Sequence, residues 1–251
     1  MHLIDTSCWS NYSELIMARE PFGIDSYVHV YTRGVKKLPI FRQKGDLRRL
    51  LFNLYYLNHA DRMPENWKRE IKISENPMRF QWPADVLGER QPIVSILAFS
   101  IMFNHLHLIV KEIVEGGTSR LMHRASMSYS KFINEKYEEN GSLFQRPFKS
   151  RLVEEDSDFR NLAVYVMVKN PFERYPGGLR RAIEHFDDAY ERMAGDPLSS
   201  LGAYAGHEAS PIITKDLLGE LFETPESFKE FARETMLSRL EQLTSEFDQF
   251  D

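Results

Sequence analysis

The stretch Ile93-Val94-Ser95-Ile96-Leu97-Ala98-Phe99-Ser100-Ile101-Met102-Phe103-Asn104-His105-Leu106-His107-Leu108-Ile109-Val110-Lys111 decides the fold. Ile93 to Met102 is a continuous apolar run of strand length, and reads as a buried strand. Asn104 marks a turn, and residues 105–111 alternate in a second strand. So short a connection makes the pair an antiparallel hairpin. Upstream, Tyr27-Val28-His29-Val30-Tyr31-Thr32 is β-branched and aromatic and ends at Arg33-Gly34, so it predicts another strand. Gly45-Asp46 then offers a cap to a helix carrying Leu47, Leu50, Leu51, Leu54 and Leu57. Downstream, Thr118 is placed to cap a helix, and Asn140-Gly141 turns into a short strand within residues 142–153. Asp156 or Ser157 is placed to cap a helix that runs to about Asn170 and stops before Pro171. Strands joined by a hairpin, with helices between the others, predict an α+β fold. The expected form is a ferredoxin-like antiparallel sheet with helices on one face, plus a C-terminal helical extension. The expected divisions are a leader at 1–23, a first domain at 24–175 and the extension at 176–251, with an acidic tail.

The 251 residues are 42% hydrophobic and 27% charged, the balance of a globular chain with enough apolar surface for a sizeable core. Its longest apolar stretch, Pro92 to Phe103, is too short to span a bilayer. The first twenty residues carry Asp5, Glu14, Arg19 and Glu20 rather than the pattern of a secretory signal. Cys8 is the single cysteine, which excludes an internal disulfide and a structural zinc site built on several thiolates. A cytoplasmic protein without a membrane partner is the expectation. The net charge of −5 is unevenly spread. Residues 33–72 are rich in Lys and Arg, while acids crowd the tail after Asp216, so a basic surface is available to phosphates despite the sum.

His105 and His107 stand at i and i+2, so both project from one face of their strand, while Leu106, Leu108 and Val110 point into the core. Two imidazoles on a rigid strand supply part of a metal site. The same spacing also fits two histidines that only hydrogen-bond at a sheet surface. No HExxH motif or cysteine cluster is present, so an oxygen or amide donor is needed from elsewhere. Such a mixed site suits Mg²⁺ or Mn²⁺ acting on a phosphate. Tyr165 lies among Leu162, Val164, Val166, Met167 and Val168, where a core tyrosine is the ordinary reading and a phenolic nucleophile the functional one. Phe144-Gln145-Arg146-Pro147-Phe148-Lys149-Ser150-Arg151 interleaves aromatics with cations, as an edge strand or as a single-strand-binding surface would.

Several of these segments, in this order, resemble the single-tyrosine transposases of the histidine–hydrophobic–histidine class, and most nearly their REP-associated branch. The carriers are Tyr27 to Gly34 with Lys37-Leu38-Pro39-Ile40-Phe41, Met102 to Val110, Gly141 to Val153, Tyr165 to Pro171, and Ser199 to Gly206. The resemblance implies a ferredoxin-like catalytic domain acting on single-stranded DNA read through a hairpin, either REP-like or an element-end palindrome, by a monomer or homodimer. It implies that His105 and His107, with Asn170, hold Mg²⁺ or Mn²⁺, and that Tyr165 attacks the scissile phosphate to give a 5′-phosphotyrosine and a free 3′-hydroxyl. Arg33, Lys36, Lys37, Arg146, Lys149 and Arg151 are the expected DNA contacts. Two departures stand out. The family carries an Asn or Gln four residues after its tyrosine; here that position is Lys169, and Asn170 follows at i+5. On a regular helix i+4 lies about 40° from i and i+5 about 140°, so a local bulge is needed to align Tyr165 with Asn170. Phe103 replaces the usual proline before Asn104. Tyr129 is a second tyrosine in reach of consideration. Two other readings stay open: a domesticated module that binds structured single strands without cutting them, and a metallo-nuclease that uses water.

Overall fold

The computed structural model describes residues 22–60, 91–145, 147–207 and 210–248. Its centre is a four-stranded sheet of β1 (Tyr27–Arg33), β2 (Val94–Met102), β3 (His105–Glu112) and β4 (Lys149–Val153). The strands lie in the order β2-β3-β1-β4 and every neighbouring pair is antiparallel. With α1 (Lys44–Tyr56) between β1 and β2 and α2 (Gly117–Tyr137) between β3 and β4, this is the ferredoxin-like α+β arrangement. The expected hairpin is present, turning through Phe103 and Asn104.

Period-two alternation sends Leu106, Leu108 and Val110 of β3 to one face, where α1 and α2 cover them. The three expected caps fall elsewhere. The N-terminal turn of α1 is closed by a capping box between Gln43 and Asp46. The buried Asp46 carboxylate also accepts from Lys136 and Tyr137 of α2, which pins the two helices together. Thr118 lies inside the first turn of α2, and the cap is the buried Glu112 carboxylate at the end of β3. It accepts from both the backbone N–H and the hydroxyl of Thr118. Likewise α3 (Asp156–Val164) starts after Glu155, with no side-chain cap.

The opposite face of the sheet is covered too. Leu97, Ala98 and Ile109 pack there against α3, its continuation through Tyr165–Lys169 and Asn170–Phe172, and the C-terminal helices. Those are α4 (Gly178–Glu184), α5 (Phe186–Ala194), α6 (Leu201–Tyr204), α7 (Asp216–Leu221) and α8 (Pro225–Asp248). The segment before α6 lines the free edge of β2: Ser200 Oγ accepts from Phe99 N–H at 2.9 Å, and Ile101 N–H donates to Leu198 at 2.7 Å. An otherwise open strand edge is thereby satisfied. Among the described residues no helix is long and apolar enough to cross a membrane.

Candidate active site

The register between β1 and β3 builds the site. Tyr31 lies opposite His107 and Arg33 opposite His105, so alternate residues of both strands share one sheet face. His29 joins them diagonally: its Nε2 lies 2.9 Å from His107 Nδ1, and both rings are buried. The His29, Tyr31 and His107 rings stack at centroid distances of 5.2–5.5 Å. His105 Nδ1 is held 2.7 Å from Asn104 Oδ1, and its ring stands nearly perpendicular to that of His107. Burial lowers the pKa of all three histidines: His29 to about 3, His105 to about 4 with help from Arg33, and His107 well below its ordinary value. The rings are therefore neutral at physiological pH. With Nδ1 of His105 and His107 engaged, the Nε2 atoms are left free of hydrogen bonds among the described residues.

Tyr165 closes the site from the opposite element. The helix does not run regularly here: Tyr165–Lys169 is a π-helical turn, and the N–H of Asn170 bonds to the carbonyl of Tyr165. This is the extra residue that the i+5 spacing calls for. Its effect is to bring the Tyr165 ring edge-on to His107 at 5.4 Å and to His29 at 6.3 Å. Burial, and then the Glu173 carboxylate, push the phenol up to about 12, with Arg239 and Arg33 acting against the rise. Lys169 lies over the Tyr165 ring at 5.1 Å and pairs with Glu173 at 2.5 Å.

Tyr165, His105, His107, Arg33 and Lys149 line one cleft of about 140 Å³, with Tyr31, Thr32, Gln145 and Pro147. Lys149 Nζ lies 5.7 Å over the Tyr31 ring. The other expected residues are placed differently. Lys36 and Lys37 are exposed on the loop after β1. Arg151 pairs with Asp158 at 2.6 Å, while Arg146 lies outside the described residues. Asn170 is buried, its Nδ2 has no hydrogen-bond partner among the described residues, and it is not among the residues lining the cleft. Tyr129 is fully buried on the other face of the sheet, and its hydroxyl donates to the Ile40 carbonyl. That is a core role.

The donor chemistry fits a divalent cation: two neutral imidazoles on one strand, each oriented through its Nδ1 by a second polar group. Among the described residues no group of three or more His, Cys, Asp or Glu could hold a metal, so a cation at the two imidazoles would need its further ligands from other groups. His29, Tyr31 and Lys169 are the site residues that inspection of the histidine motif misses. The signal for the first two is the alternation Tyr27-His29-Tyr31-Arg33, which puts four polar or aromatic groups on one face of a strand whose other face is Val28, Val30 and Thr32.

The family model for IS200-like transposases matches residues 89–169, the span from the start of β2 to the π-helical turn. Over that span the chain is similar to the IS200-like transposases. Both histidines and Tyr165 fall inside the matched residues. A solved structure of a REP-associated tyrosine transposase bound to a REP hairpin is 12% identical, with a TM-score of 0.43. The match covers 80% of this chain and 91% of that one. No curated protein matches the sequence. The matched span stops short of the C-terminal helices, which add to the second cover of the sheet.

Proposed function

We propose that this chain is a divalent-cation-dependent DNA strand transferase that recognises single-stranded hairpins and uses Tyr165 as its nucleophile. The observation that carries the reading is the π-helical turn Tyr165–Lys169, which sets the phenol against His107 in the histidine cleft. His105 and His107 would hold Mg²⁺ or Mn²⁺ through Nε2, and the cation would supply positive charge to the non-bridging oxygens of a scissile phosphate.

The phenol oxygen attacks phosphorus and loses its proton to solvent. The bond from phosphorus to the 3′ oxygen breaks, and that oxygen takes up a proton to become a 3′-hydroxyl. One phosphodiester is exchanged for another, a 5′-phosphotyrosine, so the step reverses onto a new 3′-hydroxyl without a nucleoside triphosphate. Arg33 and Lys149 line the cleft and face the charge of the strand. The high phenol pKa makes the uncharged tyrosine the resting form, so the nucleophile is weak until the phosphate and cation are in place.

Lys169 at the position where the family carries an amide, and the absence of Asn170 from the cleft lining, favour one rival: hairpin binding without cleavage. A single experiment separates the two. Labelled single-stranded hairpin DNA is mixed with the protein and Mn²⁺, then resolved on denaturing and native gels. A labelled band at protein mass, lost completely in Tyr165→Phe and His105→Ala while native-gel retardation persists, is the expected result. Retardation by the wild type without any adduct would assign the chain to the binding class.

A further inference from the structure

We propose that the cavity between α2 and the segment entering β4 is a pocket for one unpaired base of a single strand whose phosphate lies at the histidines. The proposal rests on the DNA reading above and adds a base-binding site to it. The cavity measures about 280 Å³, at the small end of ligand pockets, which run about 300–1,000 Å³. It takes one small ring system, not a stretch of chain. Thr32, Gln145 and Pro147 line both this cavity and the histidine cleft, so the two adjoin.

A bulge in the edge strand makes the junction. Phe144 pairs with Gly34 and Lys149 with Tyr31, so five steps of chain on that strand oppose three on β1. The N–H of Gln145 still donates to the Arg33 carbonyl at 2.8 Å, while Pro147 has no N–H to give. The surplus carries the chain away from β1. Period-two alternation turns Thr32 to the α2 side of the sheet, while its neighbours Tyr31 and Arg33 line the cleft. Gln145 and Pro147 are exposed, so the divide between the two cavities is open to solvent. The opposite wall is one stripe of α2: Met122, Ser126 and Ser130 stand at i, i+4 and i+8, with His123 and Met127 one residue on.

The lining names the occupant. Met122 and Phe144 are buried, Phe148 is half-buried and the Met127 thioether is 44% exposed; together they give the pocket an apolar part that suits the flat face of a base. Ser126, Ser130, His123 and Gln145 add hydroxyl, imidazole and amide groups for the base edge. An apolar side chain from a protein partner would leave those groups unanswered. Charge sets the direction of entry. Arg33 and Lys149 line the cleft on one side. On the other, a surface hollow that shares Met127, Ser130 and Ser142 with the pocket is lined by Glu135, Glu138 and Glu139 against Lys131 alone. Even with Arg42 paired to Glu139 and Lys131 to Glu135, that hollow is net negative. Phosphates are drawn to the first side and repelled from the second. The backbone therefore stays at the cleft, and an uncharged base is what enters the pocket.

The test is fluorescence anisotropy of a labelled hairpin with single-stranded flanks, each flank nucleotide made abasic in turn, for wild type, Ser126→Phe and Met127→Ala. Ser126→Phe fills the pocket from a half-buried position, and Met127→Ala trims an exposed side chain, so neither empties the core. In the wild type one abasic position is expected to weaken binding about 5- to 150-fold, the worth of one stacked base. Ser126→Phe should bind the intact strand more weakly by a similar factor and be indifferent to that one abasic position, while the other positions cost it what they cost the wild type. Met127→Ala should fall between the two, and decides the matter if Ser126→Phe does not fold. The slope of log K on log salt should be the same throughout, because no phosphate contact is removed. Equal abasic penalties in wild type and both variants, or a wild type that binds yet is indifferent to every abasic position, overturn the pocket and leave the DNA reading standing. Failure of the wild type to bind any single strand removes both. Loss of self-association in Ser126→Phe, with DNA affinity unchanged, would give the cavity to a second copy of the chain and overturn the proposal.

Discussion

His29 shows how far a single side chain reaches. It is buried, uncharged and 2.9 Å from the nitrogen of His107 that faces away from the cleft. Were His107 to give its Nε2 lone pair to a cation, its Nδ1 would carry the proton, and His29 Nε2 is within reach to accept it. Loss of such an orienting partner typically lowers metal affinity about 10- to 100-fold. His29→Leu is expected to do so in a Mn²⁺ titration followed by electron paramagnetic resonance. His29→Gln, which keeps an acceptor, should recover part of the loss. Equal Mn²⁺ affinity in wild type and His29→Leu would reduce His29 to a packing residue. Lys169 is the other residue whose role changes in three dimensions. A cation at i+4 looks like a lost ligand in the sequence, yet in the fold it lies over the ring of Tyr165, the proposed nucleophile.

At the scale of the element, the helix from Asp156 to Phe172 carries one residue more than a regular α-helix needs between its two anchored ends. The excess is absorbed within Tyr165–Lys169. A π-turn of this kind behaves as a one-residue insertion. Deleting Lys169 should therefore convert the turn to α-helix, place Tyr165 and Asn170 at i and i+4, and leave the flanking packing in register. The expected outcome is a folded protein with a cooperative melt. Deleting Arg160 from the regular part should unfold it, because every buried residue beyond would rotate by about 100°. Unfolding by both deletions would show that the π-turn is not the reservoir of slack. The helix was legible as a helix from Leu162, Val164 and Val168; its irregularity was legible only as a misfit between Tyr165 and Asn170.

Across the whole molecule, the sheet is enclosed on both faces, and this burial sets the pH response. His29 and His105 titrate at about 3 and 4 in the fold, against 6.5 for a free imidazole. Between those values the unfolded chain binds protons that the folded chain does not. Stability is therefore fully present above pH 6.5 and lost as the pH falls through the window toward 3. Each histidine contributes a slope of up to about 1.4 kcal/mol per pH unit inside it. Denaturant unfolding of the wild type at steps from pH 7 to pH 4 should show this decline, and His29→Leu should show a shallower one. A flat profile in the wild type would mean that water reaches these rings.

The sequence by itself determined the order of strands and helices along the chain, the hairpin and the placing of His105 and His107 on one strand face, because period-two alternation and turn residues are local signals. It also determined the basic character of the loop after β1, and the family resemblance implied a bulge near Tyr165. Only the tertiary structure decided that His29 and Tyr31 stack on His107, since that depends on the register between strands separated by about 75 residues of chain. It alone decided that Arg151 is engaged by Asp158, that Asn170 sits outside the cleft lining, and that the C-terminal helices close the second face of the sheet. Side-chain burial and partner choice are set by what packs opposite, and no local pattern carries that information.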